Sequence, residues 1–176
     1  MQRYATTGGP AEGDSGVKTL YFVTVFLLCL VTGVFWGTWF SLSRSIASIE
    51  PDTFLEIGRT MIGNLGGPMR VLMPITLASL FLLSLVLYRQ RRKLACVLTV
   101  ASLLLLLAAL IVTLKVNVPI DREIVTWTVT TLPGDWKVIR DRWEFYHGLR
   151  TLLSLFAFGS LLAGNVWGFQ SGKQQP

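Results

Sequence analysis

Residues 94–116 read LACVLTVASLLLLLAALIVTLKV, and this stretch decides the class of fold. A helix needs roughly 20 mostly apolar residues to cross the hydrocarbon core of a bilayer, which is about 30 Å thick. The stretch meets that length, and it is followed by Asn117-Val-Pro119, where the proline disfavours helical geometry in the residue before it. It therefore predicts a transmembrane helix that breaks at this proline.

Three further segments have the same length and apolar character, namely residues 20–40, 69–88 and 149–169. The chain has 176 residues, of which 52% are hydrophobic, and this fraction is too high for an ordinary soluble domain of that size. The sequence therefore predicts an all-α fold, in which four transmembrane helices form a single bundle over residues 19–170.

The basic turn between the second and third spans predicts the orientation of the bundle. It reads Arg89-Gln-Arg91-Arg92-Lys93, and such compact basic turns remain on the cytoplasmic side of a membrane. Both termini are then cytoplasmic, and we expect the protein in the plasma (inner) membrane. Because the net charge of +6 derives in part from this turn, it does not indicate a nucleic-acid partner. The predicted tails are residues 1–18, expected to be disordered, and residues 171–176.

The first long connection, residues 41–68, is expected to be structured. Apolar residues follow Pro51 at helical spacing as far as Leu65, which is typical of an amphipathic helix at a membrane interface. The glycines and the proline in residues 63–68 predict that this helix ends before the second span begins.

The second long connection, residues 117–147, is predicted to lie on the same outer face as the first. Residues 121–132 can form a short helix that stops at Pro133-Gly134. Asp135 is a suitable N-cap, and no helix breaker follows Trp136 before the end of the last span. The fourth helix is therefore expected to begin well before the fourth span.

A polar cluster on this fourth helix is the main candidate for a functional site. At about 100° per residue, Arg140, Glu144 and His147 fall on one face, flanked by Trp143 and Arg150. Charged groups near a membrane span usually face the interior of the bundle or water. A purely structural alternative stays open, because Arg–Glu pairs on helix surfaces and tryptophans at interfaces are common.

His147 is the sole histidine of the chain, and histidine has an unperturbed pKa near neutrality that suits proton transfer. Glu144-x2-His147 is half of a di-iron carboxylate motif, but none of the four spans contains Asp or Glu. We therefore predict neither a metal ligated by protein side chains nor another cofactor. A haem with a single histidine ligand stays open as an alternative.

Aromatic residues at the end of the first span provide a second candidate feature. Trp36 and Trp39 lie there, and Asn117 lies at the corresponding end of the third span. They form either an aromatic belt at the interface or the wall of a pocket for a flat, quinone-like ligand.

Two stretches resemble a known family. They are Asn117-Val-Pro119-Ile-Asp121 and Leu132-Pro133-x2-Trp136-x3-Arg140-x-Arg142-Trp143-Glu144-x2-His147-x2-Arg150. These motifs are similar to those of the anthrone oxygenase-like family of small four-span membrane proteins. The resemblance implies oxidation of an anthrone to an anthraquinone by O₂, without an obvious metal or flavin.

On this resemblance His147 would be the base, and Glu144 would orient it. Arg140 and Arg150 would stabilise the developing oxyanion. The predicted substrate-binding residues are Asn117, Trp36, Trp39, Trp143 and Arg142.

Two classes of function follow from the sequence. The first is an oxidoreductase that takes a small lipophilic aromatic substrate at the outer membrane face. The second is a non-catalytic membrane protein in which the Trp/Arg/Glu/His cluster is a structural rim. Haem binding and transport are further alternatives, and the expected surroundings in every case are a lipid bilayer.

Overall fold

The computed structural model describes residues 10–43 and 45–168, and these residues contain helices and no strand. Four helical segments among them are long and apolar enough to cross a membrane: Ser15–Leu42, Pro51–Arg89, Lys93–Ile124 and Trp136–Gly168. The predicted all-α fold with four spans is confirmed, and the chain is an integral membrane protein. The described α-helices are α1 (Pro10–Thr38), α2 (Pro51–Arg89), α3 (Lys93–Val112), α4 (Val118–Ile124) and α5 (Trp136–Gly168).

The first helix begins earlier than the sequence predicts. Helix α1 starts at Pro10, so residues 10–18 are helical rather than a disordered tail. Proline suits the first turn of a helix, because the amide hydrogen that it lacks would have no partner there. Residues 1–9 and 169–176, which include the rest of the predicted tails, lie outside the described residues.

Helix α2 is continuous from Pro51 to Arg89, so the predicted helix end within residues 63–68 is wrong. Pro68 and Pro74 both lie inside this helix. A proline removes one backbone hydrogen bond, whereas a full break in apolar surroundings leaves several polar backbone groups without partners. The first long connection and the second span are therefore one long element.

The predicted break after the third span is instead a change of helix geometry. Residues Thr113–Asn117 form a π-helical segment, and α4 continues from it with Pro119 in its first turn. Helix α4 ends at Ile124, so the short helix expected over residues 121–132 is shifted towards the third span. A second π-helical segment, Trp39–Ser43, follows α1.

Helix α5 runs without interruption from Trp136 to Gly168, as the sequence predicts. At about 1.5 Å per residue it is roughly 50 Å long, which exceeds the thickness of a hydrocarbon core. Helix α5 packs most extensively against α3, and α1 also packs along α5. Fully buried side chains from all four long helices form the main core, among them Leu28, Leu80, Leu106 and Leu161.

The two ends of the bundle differ, and we name them the closed end and the cavity end. The closed end contains the α2–α3 turn, where Arg91 adopts a φ of 58°, and the C-terminal part of α5. The cavity end contains the start of α2, helix α4 and the start of α5. There the two long connections contact each other, since the rings of Phe54 and Trp136 lie 5.5 Å apart between centroids.

Candidate functional site

A cavity of about 700 Å³ lies inside the bundle at the cavity end. Its walls are mainly apolar, with Phe35 from α1, Met73 from α2 and Leu110 from α3 among them. Polar side chains reach it at several points. Those that line it are Thr38, Arg70, Thr113, Asp121, Arg122, Trp143, His147 and Arg150.

His147 and Arg150 form a buried polar pair on the wall of this cavity, with 1% and 9% of their surfaces exposed. The Nε of Arg150 donates a hydrogen bond of 2.9 Å to Nδ1 of His147. A guanidinium can only donate, so Nδ1 must carry a lone pair rather than a proton. The imidazole is therefore neutral, with its proton on Nε2.

The other ring nitrogen of His147 is also engaged. Nε2 lies 2.9 Å from Oγ1 of Thr38, and with the proton on Nε2 the histidine is the donor. The hydroxyl of Thr38 donates in turn to the carbonyl oxygen of Val34, at 2.8 Å. Both nitrogens of His147 thus take part in one ordered chain from α5 to α1.

The guanidinium of Arg150 is held by further contacts. Nη1 donates to Oγ1 of Thr113 at 3.3 Å, and the guanidinium carbon lies 4.8 Å from the ring centroid of Phe35. Asp121 attracts it electrostatically from a greater distance. Among the residues that the structure describes, none places a carboxylate in direct contact with this guanidinium. Within the described part of the chain, this buried cation therefore borders an apolar cavity without a carboxylate touching it.

Asp121 belongs to the same cluster, although the sequence analysis did not include it among the site residues. Its Oδ1 accepts a hydrogen bond of 2.7 Å from Nε1 of Trp143. The ring of Trp143 stacks on His147, with centroids 4.9 Å apart and planes 23° apart. The signal in the sequence was its place in the Asn117–Asp121 family motif, but we predicted Asp121 only as the first residue of a short helix.

Two π-helical segments position the cluster. Thr38 immediately precedes the first segment, and Thr113 opens the second. A π-turn adds a residue to the helical repeat and often occurs at functional sites, because it changes the direction of the side chains around it. Asn117 ends the second segment, where its Nδ2 donates to the carbonyl oxygen of Trp143 at 3.1 Å.

Asn117 therefore joins the third span to α5 and does not line the cavity. Its side chain is fully buried, and Oδ1 has no hydrogen-bond partner among the described residues. The role predicted for it, binding a substrate, stays a prediction that the geometry does not favour.

Three of the predicted residues on α5 lie outside the cavity. Arg140 is buried but makes an ion pair of 2.7 Å with Asp141, and it lies over the ring of Trp136 at 5.2 Å. Glu144 is half-buried and Arg142 is exposed. Of the α5 cluster, the structure brings Trp143, His147 and Arg150 together at the cavity.

Trp36 and Trp39 lie on the outer side of the bundle. Trp36 is 40% exposed and stacks on Phe40, with ring centroids 5.4 Å apart. Trp39 covers Gly148 of α5 so closely that a Cβ there would lie 3.0 Å from its Nε1. Both tryptophans contribute to packing and to the apolar surface rather than to the cavity wall.

Within residues 10–43 and 45–168, no three His, Cys, Asp or Glu side chains form a group that could hold a metal ion. Ligation of a haem iron by His147 would require one of its two ring hydrogen bonds to break. The cavity is therefore best described as an apolar pocket with a cationic polar wall, inside a four-helix membrane protein.

Comparison with known proteins identifies the family. The sequence profile of the family described as anthrone oxygenase matches residues 65–160, which is more than half of the chain. The protein belongs to the anthrone oxygenase family, as the motifs of the third and fourth spans predicted. The matched region contains Asp121, Trp143, His147 and Arg150. Neither a curated protein nor a solved structure matches the chain.

Proposed function

We propose that this protein is a membrane oxygenase that converts an anthrone-like aromatic ketone to a quinone with O₂ and without a bound cofactor. One observation carries the proposal: the buried guanidinium of Arg150 borders an apolar cavity and touches no carboxylate of the described residues. Such a site suits a lipophilic ligand on which negative charge develops during the reaction. A volume of about 700 Å³ lies within the usual range of small-molecule pockets, about 300–1,000 Å³.

The proposed reaction needs a base, an anion-stabilising group and O₂. A base removes a proton from the methylene carbon, and the electron pair moves through the ring system to the carbonyl oxygen. The resulting anion reacts with O₂ at the same carbon to give a peroxide. Loss of water from the peroxide forms the second carbonyl group, so each substrate consumes one O₂ and releases one water. The carbon is oxidised, and the dioxygen is reduced.

Arg150 is the group that would stabilise the oxyanion, and His147 would hold it in place. The neutral imidazole accepts from Nε of Arg150 and is anchored by Thr38, so the guanidinium is oriented before substrate arrives. Preorganised charge of this kind lowers the barrier, because no reorientation is needed as the anion forms. The role of His147 as the base stays a prediction, and its hydrogen bonding favours the positioning role.

O₂ uptake by membranes that contain the protein, supplied with anthrone, tests the proposal. The wild-type protein should accelerate uptake above the spontaneous rate, with one O₂ consumed per anthraquinone formed. Arg150→Gln should slow this by about 10²–10³-fold, the range for loss of one oxyanion donor. Arg142→Gln is the matched control, since Arg142 is exposed on the same helix, and it should retain the wild-type rate. Equal rates with and without the wild-type protein would refute the function.

The basic turn supports a proposed orientation. With residues 89–93 in the cytoplasm, the closed end and both termini are cytoplasmic, and the cavity end lies at the outer face of the plasma membrane. A reporter that is active only in the cytoplasm, fused after Pro176, should then be active. Activity of a reporter specific for the outer side at that position would reverse the orientation.

A further inference from the structure

We propose that Asp121 is the base that removes the substrate proton, an assignment that rests on the proposed function. A base needs a lone pair that is free to accept a proton and that faces the bound substrate. In the described residues, both ring nitrogens of His147 already take part in hydrogen bonds, to Arg150 and to Thr38. Nδ1 could accept a proton only after the bond from Arg150 had broken.

Asp121 meets the requirement for a base in this cavity. Its side chain lines the cavity, and its Oδ1 is fixed by the hydrogen bond from Nε1 of Trp143. Within the described part of the chain, no donor forms a hydrogen bond to Oδ2. One oxygen therefore sets the orientation of the carboxylate, and the other keeps its lone pairs for a proton.

Asp121 and Arg150 are separate groups on one cavity wall, as the shape of the proposed substrate requires. In an anthrone the methylene carbon and the carbonyl group lie on opposite sides of the central ring. The base and the oxyanion-stabilising cation must then act at two separate points. Asp121 and Arg150 line the same cavity and attract each other, yet they make no direct ion pair. A carboxylate in contact with the guanidinium would neutralise both groups and leave neither free for the substrate.

Asp121 can carry out each proton transfer that the proposed reaction requires. The C–H bond breaks, the proton moves to the carboxylate, and the electron pair passes to the carbonyl oxygen beside Arg150. After O₂ has added to the carbon, the protonated Asp121 gives its proton to the terminal oxygen of the peroxide anion. The restored carboxylate then removes the second C–H proton as the O–O bond breaks, and it passes this proton to the departing hydroxide, which leaves as water.

Anaerobic hydrogen–deuterium exchange separates this proton transfer from the oxidation. Membranes containing the full-length protein are incubated with anthrone in D₂O without O₂, and deuterium at the methylene carbon is measured by mass spectrometry. Wild-type protein should exchange faster than protein-free membranes. Asp121→Asn keeps an oxygen that can accept from Trp143, and it should lose about 10²-fold or more of the catalysed rate.

Three variants complete the experiment. Glu123→Gln is the matched control, because Glu123 is an exposed acid on the same short helix, and it should exchange at the wild-type rate. His147→Gln keeps an acceptor for Arg150 but no basic nitrogen, so the catalysed exchange should fall much less than in Asp121→Asn. Asp121→Glu retains a carboxylate and should exchange faster than Asp121→Asn. An increase in melting temperature with anthraquinone shows that each variant is folded and binds the product.

The outcomes distinguish this assignment from the proposed function. Catalysed exchange that survives in Asp121→Asn, or that disappears in His147→Gln alone, overturns Asp121 as the base and leaves the oxygenase intact. Equal rates in folded Asp121→Glu and Asp121→Asn also contradict the assignment. A wild-type protein that promotes neither exchange nor O₂ uptake refutes the function, and the role of Asp121 with it.

Discussion

At the closed end of the bundle, Gly168 brings α5 so close to α3 that an added Cβ would lie 2.6 Å from Cβ of Ala95. At the cavity end, the same helices enclose about 700 Å³. Gly164 of α5 is also closely packed, because an added Cβ would lie 3.0 Å from the hydroxyl oxygen of Tyr21 on α1. The contrast shows that one end of the bundle fixes the helices while the other leaves room for a ligand.

The hydrogen bonding of the buried polar groups also differs between the two ends. At the closed end, the hydroxyl of Tyr21 donates to the carbonyl oxygen of Leu161, and Thr99 bonds to its own helix. Such bonds satisfy polar groups inside an apolar bundle and add rigidity. At the cavity end, Nη2 of Arg150 and Oδ2 of Asp121 form no hydrogen bond with the described protein groups. Buried polar groups without protein partners require an explanation, and the proposed ligand would provide one.

The largest effect is expected from filling the closed end. Gly168→Leu would place a side chain where the backbone of Ala95 already lies, at 2.8 Å from its N and Cα atoms. Overpacking of a dense core costs about 1–3 kcal/mol, and here backbone atoms must move. The variant should show a lower melting temperature and reduced yield in membranes, measured after extraction in the same detergent.

Gly159→Leu is the control for this prediction. Gly159 lies on the same helix, is exposed, and has no atom of a neighbouring element within 4 Å of its Cβ position in the described structure. It should melt close to the wild-type temperature. A Gly168→Leu protein that is as stable as Gly159→Leu would show that the closed end is not tightly packed.

A smaller effect on stability, with a large effect on binding, is expected at the cavity end. Ile57 of α2 lines the cavity, and Ile57→Trp would add volume where there is space for it. Because the cavity has space for the larger side chain, the loss of unfolding free energy should not exceed about 1 kcal/mol, the lower end of the cost of overpacking a filled core. The increase in melting temperature that the proposed function predicts with anthraquinone should disappear, because the ligand and the indole would compete for the same space.

The same substitution at Ile75 provides the comparison. Ile75 lies on the same helix, is 49% exposed and does not line the cavity. Ile75→Trp should keep the stabilisation by anthraquinone. Undiminished stabilisation of Ile57→Trp would place the ligand elsewhere and remove the functional contrast between the two ends.

The helical periodicity of α5 predicted part of the site, but it could not show which of these residues face the cavity. Arg140, Glu144, His147 and Arg150 share a helical arc, but a helical wheel does not state which neighbour each one meets. Arg140 contacts Asp141 and Trp136, whereas Arg150 contacts His147 and Thr113. Asp121 was missed because its contact with Trp143 joins residues 22 positions apart in the chain.

The sequence by itself determined the four spans, the uninterrupted fourth helix and the family. Span length follows from the thickness of a bilayer, and the family motifs lie within continuous stretches of the chain. Only the tertiary structure decided that α2 continues through Pro68, that two π-helical segments flank the polar cluster, and that Asp121 faces the cavity with Arg150. These features depend on packing between helices that are distant in sequence. Buried backbone groups and buried charges must find hydrogen-bond partners, and those partners are supplied by other helices.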